Sequence, residues 1–188
     1  MKKLLCALTF FISAVGVAQH GYWYDVLYEV TSENTEKFTF LLNDFYSSKK
    51  IPDDIEAEFS KLIYKGSNEK ATHVISFSSS SSKSLAKFKA SLAGRDWDVH
   101  AAKLLKYVER EYAFAGNNTN FSDIPDDALP THTIFQAWTY NVTDVTNFKN
   151  AFEKLINTIK PNGYLGMGDI VHGSDGANVW IFKTYADL

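Results

Sequence analysis

The chain says the same thing twice, and that constrains its fold more than any other feature. Leu62-Ile63-Tyr64-Lys65-Gly66-Ser67-Asn68, followed by Ala71-Thr72-His73-Val74-Ile75-Ser76-Phe77, returns as Asp169-Ile170-Val171-His172-Gly173-Ser174-Asp175 and then Ala177-Asn178-Val179-Trp180-Ile181-Phe182. Upstream, Asn34-Thr35-Glu36-Lys37-Phe38 answers Asp144-Val145-Thr146-Asn147-Phe148, each just after an apolar alternating run. Similarity on this scale points to two copies of one supersecondary unit packed against each other. It fixes the architecture far better than the chemistry.

The first copy opens with alternation from Tyr22 to Val30, which puts Tyr24, Val26, Tyr28 and Val30 on one face and Trp23, Asp25, Leu27 and Glu29 on the other. Phe38, Leu41, Leu42 and Phe45 then recur at helical spacing. Strands follow near Phe59 to Lys65 and Thr72 to Ser78, joined by a turn at Gly66-Ser67-Asn68. Ser78 to Ser82 reads as a strand end and a helix start, where hydroxyls accept bonds from first-turn N–H groups. The helix beyond carries Leu85, Phe88 and Leu92, pauses near Gly94, and resumes through Trp97, Ala101, Leu104, Leu105 and Val108 to Tyr112. Residues 115–130, polar and rich in Asn, Asp and Pro, read as a linker.

The second copy has a strand from Thr131 to Val142, a helix from about Asp144 to Ile159 stopped by Pro161-Asn162-Gly163, and strands near Tyr164 to Val171 and Asn178 to Thr184. By the internal register, its counterpart of the long second helix is missing. Because that helix would cover an apolar sheet face, a truncated gene product is the expectation.

Residues 1–18 read as a secretory signal: Lys2 and Lys3, a mostly apolar run from Leu4 to Val17, then small Gly16 and Ala18 before a cut ahead of Gln19. The run is too short for a stable membrane span, and no later stretch approaches spanning length. The expected location is therefore periplasmic or extracellular. Cleavage removes Cys6, the only cysteine, so the remaining chain has neither a disulfide nor a thiolate nucleophile. It also leaves 17 basic against 22 acidic residues with no basic aromatic-studded face, which excludes nucleic acid as the expected partner.

A tandem β-α-β-β-α pattern with aromatic strands and a long second helix resembles the dimeric α/β-barrel superfamily, the ferredoxin-like group that includes antibiotic-biosynthesis-type monooxygenases. Asp96-Trp97 followed by Lys106-Tyr107-Val108-Glu109 also resembles exported, duplicated members of that group. The resemblance implies an α+β fold in which residues 19–114 form one ferredoxin-like repeat and 131–188 a second, incomplete one. Their antiparallel sheets would pack face to face as a fused barrel. It also leaves room for a homo-oligomer. No motif carries an activity across, since a fold hosts many functions.

Within such a barrel, Ile75 and Ile181 are apolar in both copies and are assigned to the helix-packed face. Val74, Ser76 and Ser78 against Trp180, Phe182 and Thr184 then line the barrel. Tyr28, Gln136, Trp138, Tyr140, Trp180 and Phe182 are the expected pocket residues for a small apolar or aromatic ligand, although the same residues fill ordinary cores. Two functional readings stand. One is a non-catalytic exported module that binds such a molecule or mediates association. The other is an oxygenase-like enzyme, cofactor-free or haem-dependent, acting on an aromatic substrate.

Family members that bind haem use a helix histidine, so the resemblance would give His100 that place; its residues alone favour a solvated helix histidine. No metal is expected, because the histidines are scattered without His-x-x-x-His or Cys-x-x-Cys spacing. His73 reads as a half-buried strand histidine, and His172 as a loop-edge one. Gly163, Gly166 and Gly168 look superficially like a phosphate loop but lead into a strand, which lacks a helix terminus to cradle an anion.

Overall fold

The computed structural model describes residues 21–63, 69–122, 134–159, 163–173 and 176–185. The expected leader, His20, His132 and the turn at 66–68 lie outside the described residues. Seven strands are present: β1 (Tyr22–Glu29), β2 (Glu56–Lys61), β3 (His73–Ser79), β4 (Arg110–Phe121), β5 (Ile134–Tyr140), β6 (Leu165–His172) and β7 (Val179–Tyr185). Four helices accompany them: α1 (Thr35–Ser47), α2 (Ser82–Ser91), α3 (Arg95–Leu104) and α4 (Val145–Ile159). The class is α+β. The strands form one antiparallel sheet in the order β2-β3-β1-β4-β6-β7-β5.

Local chemistry explains most element ends. The serine run does what its composition predicts: Ser81 Oγ accepts the Ser84 N–H at 3.2 Å and caps α2, while Ser79 Oγ accepts the Ser81 N–H at 3.0 Å. Asp144 caps α4 through a 3.0 Å bond from the Asn147 N–H. Gly94, at φ 118°, lies in a region closed to other side chains and separates α2 from α3.

One expectation needs correction. The long second helix stops at Leu104, and residues 110–121 are strand, so most of β4 occupies what reads as helix end and linker. Tyr112, Phe114 and Gly116 face one way and Ala113 the other, a period-2 pattern that the apolar content of Leu104 to Tyr112 conceals. The Asn117-Asn118-Thr119-Asn120 stretch has poor strand propensity. It is extended because β6 pairs along it and β1 holds its first residues, Asn117 in register and the Asn118 N–H through the Gly21 carbonyl. The barrel-like expectation holds: the sheets of the two halves are continuous through β4 and β6, and their inner faces meet because that sheet curls.

That curl is measurable. Trp23 on β1 and Trp180 on β7 are three strand spacings apart, about 14 Å along a flat sheet. Their ring centroids are 4.7 Å apart. Both rings lie on the concave face over glycines: Trp23 pairs across strands with Gly116, Trp180 with Gly168, and Phe182 with Gly166. Large rings over bare backbone let the sheet bend inward without leaving a void. The glycines near the second strand of the latter half therefore make room for aromatic rings.

The convex face carries the helices. Val26, Tyr28, Val30, Ile75 and Phe77 pack against Phe38 and Leu42 of α1, Leu85 and Phe88 of α2, and Leu104 of α3. In the latter half, Phe152 of α4 packs on Leu165, Met167 and Val179. Ile75 and Ile181 are both on this helix side, as the internal comparison predicts.

A methyl group at Gly168 would collide with the Asn117 carbonyl and the Trp180 indole, whereas one at Gly21 meets nothing within 4 Å. Gly168→Ala should therefore cost roughly 2–4 kcal/mol in urea unfolding, with Gly21→Ala within about 0.5 kcal/mol of the parent.

Candidate functional site

A cavity of about 270 Å³ opens between the convex face of the sheet and the helices of the first half. Tyr24 and Val26 of β1 and Phe77 of β3 form its floor. Leu85, Phe88 and Lys89 of α2, with Leu92 and Ala93 after it, form one wall. Trp97 of α3 and Tyr46 of α1 close the other side, and Glu111 of β4 enters from the sheet. Its volume is near the lower end of the range for small-molecule sites, and its walls are mostly aromatic and aliphatic.

The few polar groups converge. Lys89 Nζ stands 3.7 Å from the centroid of the Tyr24 ring, a cation–π contact that leaves its charge beside the cavity. Glu111 is the cross-strand partner of Tyr28 on β1. Burial pushes the Glu111 carboxyl above the usual carboxylate range. Burial also raises the Tyr46 and Tyr28 phenols, with lesser contributions from the Glu111 charge and neighbouring tyrosine hydroxyls. These phenols stay protonated at neutral pH. Glu111, exposed and only partly desolvated, is shifted toward its protonated form and can accept a proton. A carboxyl acceptor, a nearby ammonium and an apolar cleft can together hold an acidic O–H and stabilise the anion left behind.

The six residues expected to form a pocket do not share one. Trp180 and Phe182 are on the concave face, stacked on each other at 4.7 Å, with Phe135 stacked on Phe182 at 5.7 Å. Gln136, Trp138 and Tyr140 are on the opposite, helix-side face of β5, where Tyr140 meets Phe148 of α4 at 5.8 Å. Tyr28, 1% exposed, belongs to the helix-side core beside Phe38 and sits behind Glu111 rather than in the cavity wall. The first strand of each half carries large side chains on both faces, so alternation alone does not say which face lines a pocket. Phe135, Ala137 and Thr139 share the concave face with Trp180 and Phe182.

The cavity residues Tyr24, Tyr46, Lys89, Trp97 and Glu111 come from five elements and share no sequence motif. The nearest signal is Trp97, one helical turn from His100. His73 is 3% exposed, with Nδ1 2.8 Å from the Thr72 hydroxyl and its ring parallel to Phe59. The strand position is the expected one, but the ring is more deeply buried than the half-buried expectation, and its partner is the Thr72 side chain where a backbone group is expected. His172 is exposed.

His100 is 6% exposed rather than solvated, and it lies flat on Phe45 with centroids 4.2 Å apart, flanked by Trp97 and Tyr46. Its Nε2 is buried without a partner, but the residue does not line the cavity. An axial ligand must present its nitrogen to an open plane, so this packing does not fit haem at His100. No group of three or more His, Cys, Asp or Glu is placed to hold a metal ion among the described residues. Nor is any described helix long and apolar enough to cross a membrane.

No protein-family model matches the sequence, and no curated protein matches it either. Solved structures do resemble it. A suspected monooxygenase from Lactobacillus acidophilus NCFM superposes with a TM-score of 0.55 at 13% identity, over 90% of this chain and 78% of that one. An anthrone oxidase-like protein gives 0.58 at 11% identity, over 91% and 76%. At such identities the likeness establishes the ferredoxin-like fold and nothing finer.

Burial lowers the His100 pKa from 6.5 to about 4, with the charges of Lys103 and Lys49 adding to the effect and Asp44 opposing it. The unfolded chain therefore binds the extra proton first. The stability that neutral His100 contributes is complete above 6.5 and is lost as pH falls toward 4. After allowance for solvent screening, His100→Phe should blunt this acid-side loss by about 1–2 kcal/mol, measured by urea unfolding at about pH 7 and about pH 4.5.

Proposed function

We propose that the helix-side cavity binds one flat aromatic molecule of about two fused rings carrying an acidic hydroxyl. The observation carrying this reading is the combination of aromatic walls with two convergent polar groups, Glu111 and Lys89. The rings would lie against Phe77, Phe88 and Trp97, with the hydroxyl directed at Glu111. At about 0.5 kcal/mol per non-hydrogen atom, a ligand of ~12 such atoms gains about 6 kcal/mol, a Kd of tens of micromolar. We also infer that the chain arose by internal duplication and is exported, on the strength of the repeated segments and of residues 1–18.

A second reading, oxygenase-like chemistry on the same ligand, is favoured by Glu111 and by the names of the two fold neighbours. Transfer of the hydroxyl proton to Glu111 would leave an electron-rich anion beside Lys89. Dioxygen, the oxidant, would bond to the ring carbon para to the oxygen, regain the proton from Glu111 as a hydroperoxide, and lose water to leave the quinone.

Titration with 1-naphthol should change tryptophan emission with a Kd of tens of micromolar. Ala93→Phe, at an exposed point of the cavity rim, should weaken binding at least about tenfold without altering the melting temperature. Trp97→Phe should remove most of the signal. Equal titrations by all three proteins would end the reading. Oxygen uptake with 1-naphthol, lost in Glu111→Gln while 1-naphthol binding persists, separates the enzyme from the binding module.

A further inference from the structure

The concave face of the first half carries a second set of groups that the cavity does not use. Register places Glu58, Ser76, Asp25 and Phe114 in one row across β2, β3, β1 and β4, and Glu56, Ser78, Trp23 and Gly116 in the next. Ser78 is 0% and Trp23 3% exposed. Ser78 Oγ, Trp23 Nε1 and Asp25 Oδ1 are all buried, and none has a hydrogen-bond partner. Adjacent orphaned polar atoms on one face call for a polar occupant that the fold does not itself supply.

The charges on this face are one-sided. Asp25 has the Ser76 hydroxyl as its hydrogen-bond partner, and Glu58 accepts from Ser60 Oγ at 2.9 Å. Neither takes part in the Lys49–Asp96 or the Lys149–Asp169 ion pair. Burial, augmented by the Glu58 charge and opposed by Ser76, raises Asp25 from 3.8 to about 7. Glu58 is also raised by burial, Ser60 opposing and Glu56 adding. The other charged or titratable groups facing this way are Glu56, the cross-strand pair Glu29 and Arg110, Tyr112, whose hydroxyl donates to the Glu69 carboxylate, and His172 on β6. Glu29 is about 13 Å along β1 from Asp25, and Arg110 lies over the Tyr112 ring. Two repelling carboxyl groups beside aromatic ring faces form a site for a cation.

We propose that this concave face binds a small organic cation, an amine or quaternary ammonium that also carries an oxygen acceptor, with its charge between Asp25 and Glu58 and its apolar part against Trp23 and Phe114. The oxygen accepts from the Trp23 indole N–H or the Ser78 hydroxyl. The ammonium compensates the two carboxylates and lies against the electron-rich rings. Binding displaces the proton of Asp25, so affinity falls as pH drops below about 7. The site is on the opposite face of the sheet from the aromatic-ligand cavity and stands independently of it.

Calorimetric titration of the full chain with choline and with ethanolamine tests this. Both should bind at about pH 8, weaken by up to about tenfold per unit below pH 7, and release protons in that range, as shown by buffers of different ionisation enthalpy. The neutral choline analogue 3,3-dimethylbutanol should bind at least about tenfold more weakly. Glu58→Gln, at a partly exposed position, and Asp25→Asn should each weaken both cations at least about tenfold while far-ultraviolet circular dichroism stays native. Trp23→Phe should weaken choline more than ethanolamine, or unfold the chain, in which case Glu58→Gln alone decides. Absence of binding at millimolar concentration would assign the orphaned atoms to ordered water and overturn the proposal. So would affinities unchanged by Glu58→Gln, or equal affinity for the neutral analogue.

Discussion

Backbone pairing on both edges of β4 is the constraint on which the rest of the molecule depends. β1 hydrogen-bonds to one edge from Asn117 back to Arg110, and β6 to the other from Phe121 back to Ala115. One strand thereby converts two short sheets into a seven-stranded one. Edge strands left unpaired are a liability, and here two potential edges satisfy each other through a single intermediary. The register shifts at Ala115/Gly116 and Asn118/Asn120 in the β4–β6 pairing are consistent with the inward bend at that seam. Trp23, Trp180 and Phe182 then cover three glycines on the concave side, so the seam itself is packed.

The same seam separates two environments. On the convex side, α1, α2 and α3 lie on β1, β3 and β4 and leave one cleft with a carboxyl and an ammonium. On the concave side, the sheet itself supplies every wall, and the groups are acids, serines and indoles. A strand with alternating side chains serves both: Tyr24, Val26 and Tyr28 face the helices, while Trp23 and Asp25 face the curl. Slipping β1 by one residue would exchange the two sets entirely. Its register, held by β3 on one edge and β4 on the other, therefore matters to both candidate sites.

Most of the fold was legible because its periodicities are clean. Phe38, Leu42 and Phe45 mark α1, the serines mark the start of α2, and six of the seven strands fall close to their expected positions. β4 was hidden because its cause is not local: Asn117 to Asn120 would be coil alone and are strand because β6, with the start of β1, offers unpaired N–H and C=O groups. Of the site residues, Trp180 and Phe182 could be placed on the concave face by comparing Ile75 with Ile181. Gln136, Trp138 and Tyr140 could not be placed, since β5 is aromatic on both faces. Glu111 was beyond reach for the same reason as β4 itself. A side chain cannot be assigned to a cavity while its segment is read as helix.

The two halves share an element order, strand–helix–strand–strand, but not a load. In the first half α2 and α3 complete the cover, and the cavity is the gap between them and β1. In the latter half, α4 alone lies on β6 and β7. Phe152 is 4% exposed there, while Leu155 and Ile159 remain 46% and 50% exposed. Among the described residues, no second helix encloses a cleft on that side. What the latter half contributes instead is on the other face: Trp180, Phe182 and Phe135 form an aromatic run that meets Trp23 across the seam. The first half thus holds the polar chemistry of both faces. The second acts as a stiff aromatic wall that fixes the position of Trp23, and through it the strand from which both sites are built.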